Sequence, residues 1–234
     1  PEPTASEASG VLGGYPGGER YLAGLAAGEP LRAAWTPVPV HGAPGDWAGG
    51  VLDAVAATVA AGRGAIVVVP DGSALDALEA RCTDRFGQGS FTILTADLGP
   101  AKRYRNFLAA ARGDVRLVIG TRAAVYAPVH GLGLVVVWDE GNDLLAEPRA
   151  PYPHTREVAA LRAGQEHCGL LLAGYGRTAE VQALVERGWV VPLAHDAREV
   201  RRLGPAVRIA SHSERAEDRE GRGPPGQAQH HNRP

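Results

Sequence analysis

The stretch GDVRLVIGTRAAVYAPVHGLGLVVVWDEGND, residues 113–143, decides the fold. It holds two short, continuous apolar runs, residues 115–119 and 132–138, each rich in β-branched side chains and each followed by small and polar ones. Strands buried on both faces of a parallel sheet have this composition, because neither face meets water and the alternation of a half-buried strand is lost. The first run ends in Gly120, Thr121 and Arg122, and the second in Asp139 and Glu140. Polar chemistry therefore follows the C-terminal end of each strand, the edge where open α/β sheets bind ligands.

Outward from this stretch the pattern repeats. Residues 65–69 read as a buried strand, 73–86 as a helix with Ser73 as N-cap, 91–95 as a strand, and 100–112 as a helix with proline in its first turn. Downstream, a Pro-rich loop at 147–154 precedes a helix at 155–167, a strand at 170–173, a helix at 178–187 and a last strand at 189–193. Upstream, residues 19–27 suit a short helix. Pro37 and Pro39 mark 31–40 as an edge strand or loop, and a Gly-rich turn at 41–50 leads into a helix at 51–61. Strands alternating with helices imply an α/β fold with a doubly wound, mostly parallel sheet. Residues 1–18 are expected to be a flexible linker, 19–210 one domain, and 211–234, charged and without apolar periodicity, a disordered tail.

The chain has 234 residues and a formal net charge of -2, which excludes a molecule that holds nucleic acid by bulk charge; any such contact must come from a local patch. Cys82 and Cys168 lie far apart with no C-x-x-C pair, so neither a disulfide framework nor a zinc site is indicated, and two buried, reduced thiols are expected. His230 and His231 lack the spacing of a metal site. No apolar run approaches the ~20 residues of a membrane span. A cytoplasmic protein with no membrane contact is expected. The chain begins Pro-Glu-Pro and contains no methionine, so a fragment of a longer protein is expected.

A strand, a Gly-rich turn, a helix, and a later apolar strand ending in Asp-Glu is the layout of a P-loop nucleotidase. In such a protein backbone N-H groups cradle the phosphates, a lysine neutralises them, and the acidic pair holds Mg²⁺ and orients water. Here the turn reads Gly42-Ala43-Pro44-Gly45-Asp46-Trp47. Asp46 fills the lysine position, Trp47 stands where a hydroxyl should reach the metal, and Pro44 removes a donor. Like charges at about 4 Å repel by about 1 kcal/mol even in water. Tight ATP binding is not expected.

Residues 113–140, followed by PYPHTREVAALRA at 151–163, resemble the first helicase lobe of the PriA family, the primosomal replication-restart helicases. The resemblance extends upstream through GAIVVVPD (64–71) and downstream to LLLAGYGRTAE (170–180), and covers most of residues 35–193. It implies a RecA-like lobe of a superfamily 2 DNA helicase, with DNA and the replication machinery as partners. It also implies a zinc module and a second lobe that this chain does not contain. The family's D-E-x-H motif falls either on Asp139, Glu140 and Asn142 or, in another register, with Trp138 at the metal aspartate; both leave it altered. Its S-A-T-P motif corresponds to residues 174–178, Gly-Tyr-Gly-Arg-Thr.

By this resemblance Thr121 and Arg122 would grip a single-strand backbone, and Tyr152 could stack on a base. Asp139 and Glu140 would be an inherited but inactive acidic pair, and His154 with Arg156 a helix-start cluster. Expected is a degenerate lobe that binds forked or single-stranded DNA and primosome or replication proteins, without ATP, magnesium or zinc. An active ATP-dependent 3'-5' helicase, which would need ATP and magnesium, and an interaction module binding neither ATP nor DNA are the alternatives.

Overall fold

The computed structural model describes residues 10–42 and 45–205. A 3₁₀ turn at Leu12–Gly14 leads into α1 (Gly18–Ala26), β1 (Arg32–Trp35), α2 (Trp47–Ala60), β2 (Gly64–Val68), α3 (Gly72–Phe86), β3 (Phe91–Leu94), α4 (Pro100–Arg112) and β4 (Leu117–Gly120). Then follow β5 (Leu132–Trp138), α5 (Thr155–Gln165), β6 (Gly169–Ala173), α6 (Ala179–Glu186), β7 (Val191–Leu193) and α7 (Ala197–Leu203). Further 3₁₀ turns occupy Arg122–Tyr126 and Asp143–Leu145.

The strands form one seven-stranded sheet in the order β3-β4-β2-β5-β6-β1-β7, and every neighbouring pair is parallel. Parallel neighbours cannot be joined by tight hairpins, so each connection crosses a face of the sheet. β2, β4, β5 and β6 are buried at every position, which is why their sequences read as unbroken apolar runs. Alternate residues of each strand feed opposite cores. Val67, Leu134, Val136 and Leu171 join one with Leu52 and Leu78; Ile66, Val135, Val137 and Leu172 join the other with Leu145 and Ala159.

α2 buries residues almost all round, from Ala48 to Val55 and again at Thr58. It can lie this close because Gly50 has no side chain: a Cβ there would overlap the Trp35 indole of β1. That approach sets the N-terminus of α2 beside the C-terminal ends of β1, β5 and β6, where the candidate site lies. No helix among the described residues is long and apolar enough to cross a membrane.

The chain differs from the sequence-based expectation at several points. The linker expected over residues 1–18 is, from Leu12 onward, part of the core: Leu12 and Tyr15 are buried, and the Leu12 N-H donates to Asp53 of α2 at 3.0 Å. A segment rich in glycine can still anchor if it carries one or two large side chains. β1 is not an edge strand but lies between β6 and β7, its prolines falling after the strand where no ladder bond is needed. The N-cap of α3 is Asp71 rather than Ser73, its carboxylate accepting from the Ala74 N-H at 2.8 Å. Helix α7 leaves no apolar period in the sequence, being short and with no buried residue. The expected tail at 211–234, His230 and His231, Ala43 and Pro44, and residues 1–9 of the expected linker lie outside the described residues.

Candidate nucleotide-binding site

The Gly-rich turn and the Asp-Glu end of β5 do come together, but their side chains are engaged with one another and with the fold. At the N-terminus of α2, Asp46 is the N-cap and its carboxylate accepts from the Gly49 N-H at 3.0 Å. A helix N-terminus offers an anion site through its free N-H groups and its dipole. Here a side-chain carboxylate already sits on it, held from the other side by an ion pair with Arg81 of α3. Just before the turn, the Val38 N-H donates to the Tyr15 hydroxyl at 2.9 Å and the Val40 N-H to the Val38 carbonyl at 2.8 Å. Gly42 has φ +69, a conformation that glycine adopts without strain, and Gly45 is packed so that a Cβ would overlap the Val38 and Val40 carbonyls.

Trp47, the next residue, lies flat on Trp138, the last residue of β5, with ring centroids 4.5 Å apart and planes 11° from parallel. Tyr175, in the loop after β6, meets Trp138 edge-on at 5.3 Å. Partial burial, and then the nearby Asp46 charge, raise the Tyr175 phenol above its ordinary value. The three rings fill the space between α2 and the ends of β5 and β6. Stacked and edge-on aromatic pairs contribute about 0.5–1.5 kcal/mol each beyond their buried area.

Glu140 is a buried structural hub. The residue is 2% exposed, and its carboxylate takes an ion pair from Arg156 of α5 at 2.9 Å and hydrogen bonds from the Thr178 N-H at 3.0 Å and the Thr178 hydroxyl at 2.9 Å. Arg156 also donates to the Glu140 carbonyl at 3.1 Å, and the Glu140 N-H donates to Ala173 of β6 at 3.1 Å. Glu140 thus joins the end of β5 to the starts of α5 and α6. A buried carboxylate survives only when its lone pairs are met in this way. Asp139 has φ +51 and accepts from the Asn142 amide at 2.7 Å, while the Asn142 side-chain oxygen accepts from the Leu144 N-H at 3.0 Å.

His154 caps α5, its Nδ1 accepting from the Arg156 N-H at 3.2 Å, as the helix-start reading expected. Burial, and then the Arg156 charge, hold its imidazole below its ordinary value. Arg122 follows β4 and reaches back across the sheet edge, donating to the Leu144 and Ala146 carbonyls at 3.0 and 3.1 Å and pairing with Glu147 at 3.3 Å. Thr121 donates through its hydroxyl to Thr95 at 3.3 Å. Tyr152 is 66% exposed. Cys82 and Cys168 are buried and unpaired, and burial pushes their thiols up to about 12 and about 11. Among the described residues no group of three or more His, Cys, Asp or Glu side chains is placed to hold a metal ion.

The sequence marks the turn, the acidic pair, Trp47, Arg156 at a helix start and, through the 174–178 segment, Tyr175 and Thr178, but not that these side chains meet. Arg81, Arg156, Tyr175 and Thr178 come from other elements. Of the four, Arg81 alone carries no signal in the sequence.

No family model matches the chain. It is 49% identical over 194 residues to the probable replication restart protein PriA of Mycobacterium tuberculosis, covering 82% of this chain and 29% of that one. It is 29% identical over 158 residues to the replication restart protein PriA of Bacillus subtilis, covering 68% of this chain and 20% of that one. Among solved structures, the Pyrococcus furiosus Hef helicase domain shares the fold, with a TM-score of 0.53 at 10% identity over 82% of this chain and 40% of that one.

Proposed function

The chain belongs with the replication restart proteins named PriA over 82% of its own length, and on that premise we propose that it serves replication restart as a DNA-binding scaffold lobe that neither binds nor hydrolyses ATP. It spans 29% of the length of the M. tuberculosis relative, so the reading concerns this lobe. One observation carries it: the Trp47 indole stacked on Trp138, beside Asp46 capping α2. A magnesium nucleotide needs free N-H donors, a cation and a metal ligand at that place. The residues present supply a carboxylate where the phosphates would lie and an indole where the metal hydroxyl would be. They do not fit the group. Glu140, the acid that would orient water, is bound on both oxygens.

The DNA part of the reading rests on the likeness to the replication restart proteins, which assigns to DNA Thr121 and Arg122 after β4 and the exposed Tyr152 in the loop after β5. Arg122 is bound to main-chain carbonyls, so its role there is to shape the 144–147 loop, leaving Tyr152 exposed beside it in the sequence.

Two titrations test the reading. A fluorescent ATP analogue with Mg²⁺ should show no saturable binding up to millimolar nucleotide. Forked DNA should bind with an affinity that falls steeply as salt rises, because phosphate contacts release counterions. Micromolar nucleotide binding that plain ATP competes away would overturn the scaffold in favour of a motor. Absence of DNA binding at low salt would leave an interaction module that contacts only protein.

A further inference from the structure

α4 stands largely in solvent. Of its 13 residues, PAKRYRNFLAAAR, only Ala110 is buried. Ala110 joins the core under the sheet, and the Asn106 amide donates to the Ile93 carbonyl of β3 at 2.8 Å. Tyr104 and Phe107, one turn apart on one face, are 65% and 42% exposed. Beneath them runs an open groove of about 390 Å³, floored by Leu94 and Thr95 at the end of β3 and by Ala123, with Pro100 and Arg103 on its rim. Large aromatics are normally the first side chains a core recruits. Here a pair of them is left facing solvent over an empty trough.

The charge on the helix indicates what the trough receives. α4 carries Lys102, Arg103, Arg105 and Arg112 and no acid, in a chain whose formal net charge is -2. Asp97 and Asp114 lie outside the helix at either end. Among the described residues none of these four cations is paired with an acid or bound to a carbonyl. Cations alternating with exposed rings are the surface on which unpaired bases stack while the backbone lies along the positive charge. A neutral or basic apolar peptide would gain nothing from the cations, and a duplex would present no ring faces. The groove also adjoins Thr121, whose hydroxyl bonds to Thr95 on the groove floor.

We propose that the groove under Tyr104 and Phe107 is a base-stacking site for single-stranded DNA, with Lys102, Arg103 and Arg105 along its phosphates. The proposal rests on the DNA-binding part of the function above but uses residues other than Thr121, Arg122 and Tyr152.

The test compares binding of the full chain to an oligothymidylate and to an abasic strand of the same length, which keeps the phosphates and lacks the bases. The wild-type chain should prefer the thymidylate by roughly 5- to 150-fold for each base stacked. Tyr104→Ala with Phe107→Ala should erase that preference while leaving the salt slope unchanged. Lys102→Ala with Arg103→Ala and Arg105→Ala should flatten the salt slope by about 2, at about 0.7 per phosphate contact on a single strand. The aromatic variant should stay folded with a urea midpoint only slightly below wild type, because Tyr104 is mostly exposed and Phe107 only partly covered, and Phe107→Trp should restore the preference. A preference that persists in the double alanine variant overturns this site and leaves the DNA reading intact. Binding of neither strand by the wild-type chain overturns both. Equal wild-type binding of the two strands overturns stacking alone.

Discussion

Arg156→Ala distinguishes a structural Glu140 from a catalytic one. The substitution removes the 2.9 Å ion pair to the Glu140 carboxylate and the 3.1 Å bond to its carbonyl, leaving a carboxylate 2% exposed with only Thr178 to satisfy it. Breaking a buried pair from one side costs about 3–5 kcal/mol, because the orphaned charge keeps its desolvation penalty. With a urea dependence of about 2 kcal/mol per molar, the unfolding midpoint should fall by about 2 M. Arg156→Met combined with Glu140→Leu should recover most of that loss, since replacing both members of a buried pair by apolar side chains is often close to neutral. Glu140→Gln keeps an acceptor and a side chain of the same shape, and should cost less than Arg156→Ala. The assay is equilibrium urea unfolding followed by tryptophan fluorescence, with ATP hydrolysis measured on the same preparations. A midpoint unchanged in Arg156→Ala, together with wild-type hydrolysis that Glu140→Gln abolishes, would refute the structural role and place Glu140 in a working motor.

Further outcomes follow from the packing and the titrating groups. Trp47→Ala should cost about 2 kcal/mol or more from lost burial and stacking, and should abolish the far-ultraviolet exciton signal of the Trp47 and Trp138 indoles; an unchanged circular dichroism spectrum would deny the stack. Leu12→Ala should cost about 2–5 kcal/mol, read by urea unfolding, whereas a linker residue would cost nothing. The His154 imidazole is held below its ordinary 6.5, so the unfolded chain binds more protons in that range: this contribution to stability is complete above pH 6.5 and is lost as pH falls toward the folded value. His154→Asn, which keeps a capping acceptor, should flatten the decline in urea midpoint below that pH. Cys82 and Cys168, with thiols pushed up to about 12 and about 11, should resist a thiol reagent until urea unfolds the chain; rapid native labelling of either would contradict its burial.

The strands were legible because burial on both faces leaves a local mark. Residues 64–68 and 132–138 are apolar at every position whatever lies above them, and a helix between parallel strands follows from chain geometry. The turn before α2 and the Asp-Glu after β5 were equally visible as residue types. Less legible was the role of prolines 37 and 39: they speak against a central strand, but the chain places them just past β1, so the strand could lie inside the sheet.

The sequence by itself determined the layer architecture, the order of helices and strands, and the absence of a lysine and a hydroxyl from the phosphate turn, since each of these is a matter of period or identity along the chain. Only the tertiary structure decided what the remaining site residues do. Asp46 caps a helix and pairs with a residue 35 positions away, Glu140 is bound by residues 16 and 38 positions away, and Trp47 meets Trp138 across the sheet edge. A carboxylate becomes a catalyst or a buried strut through the donors that reach it, and those donors are brought to it by packing.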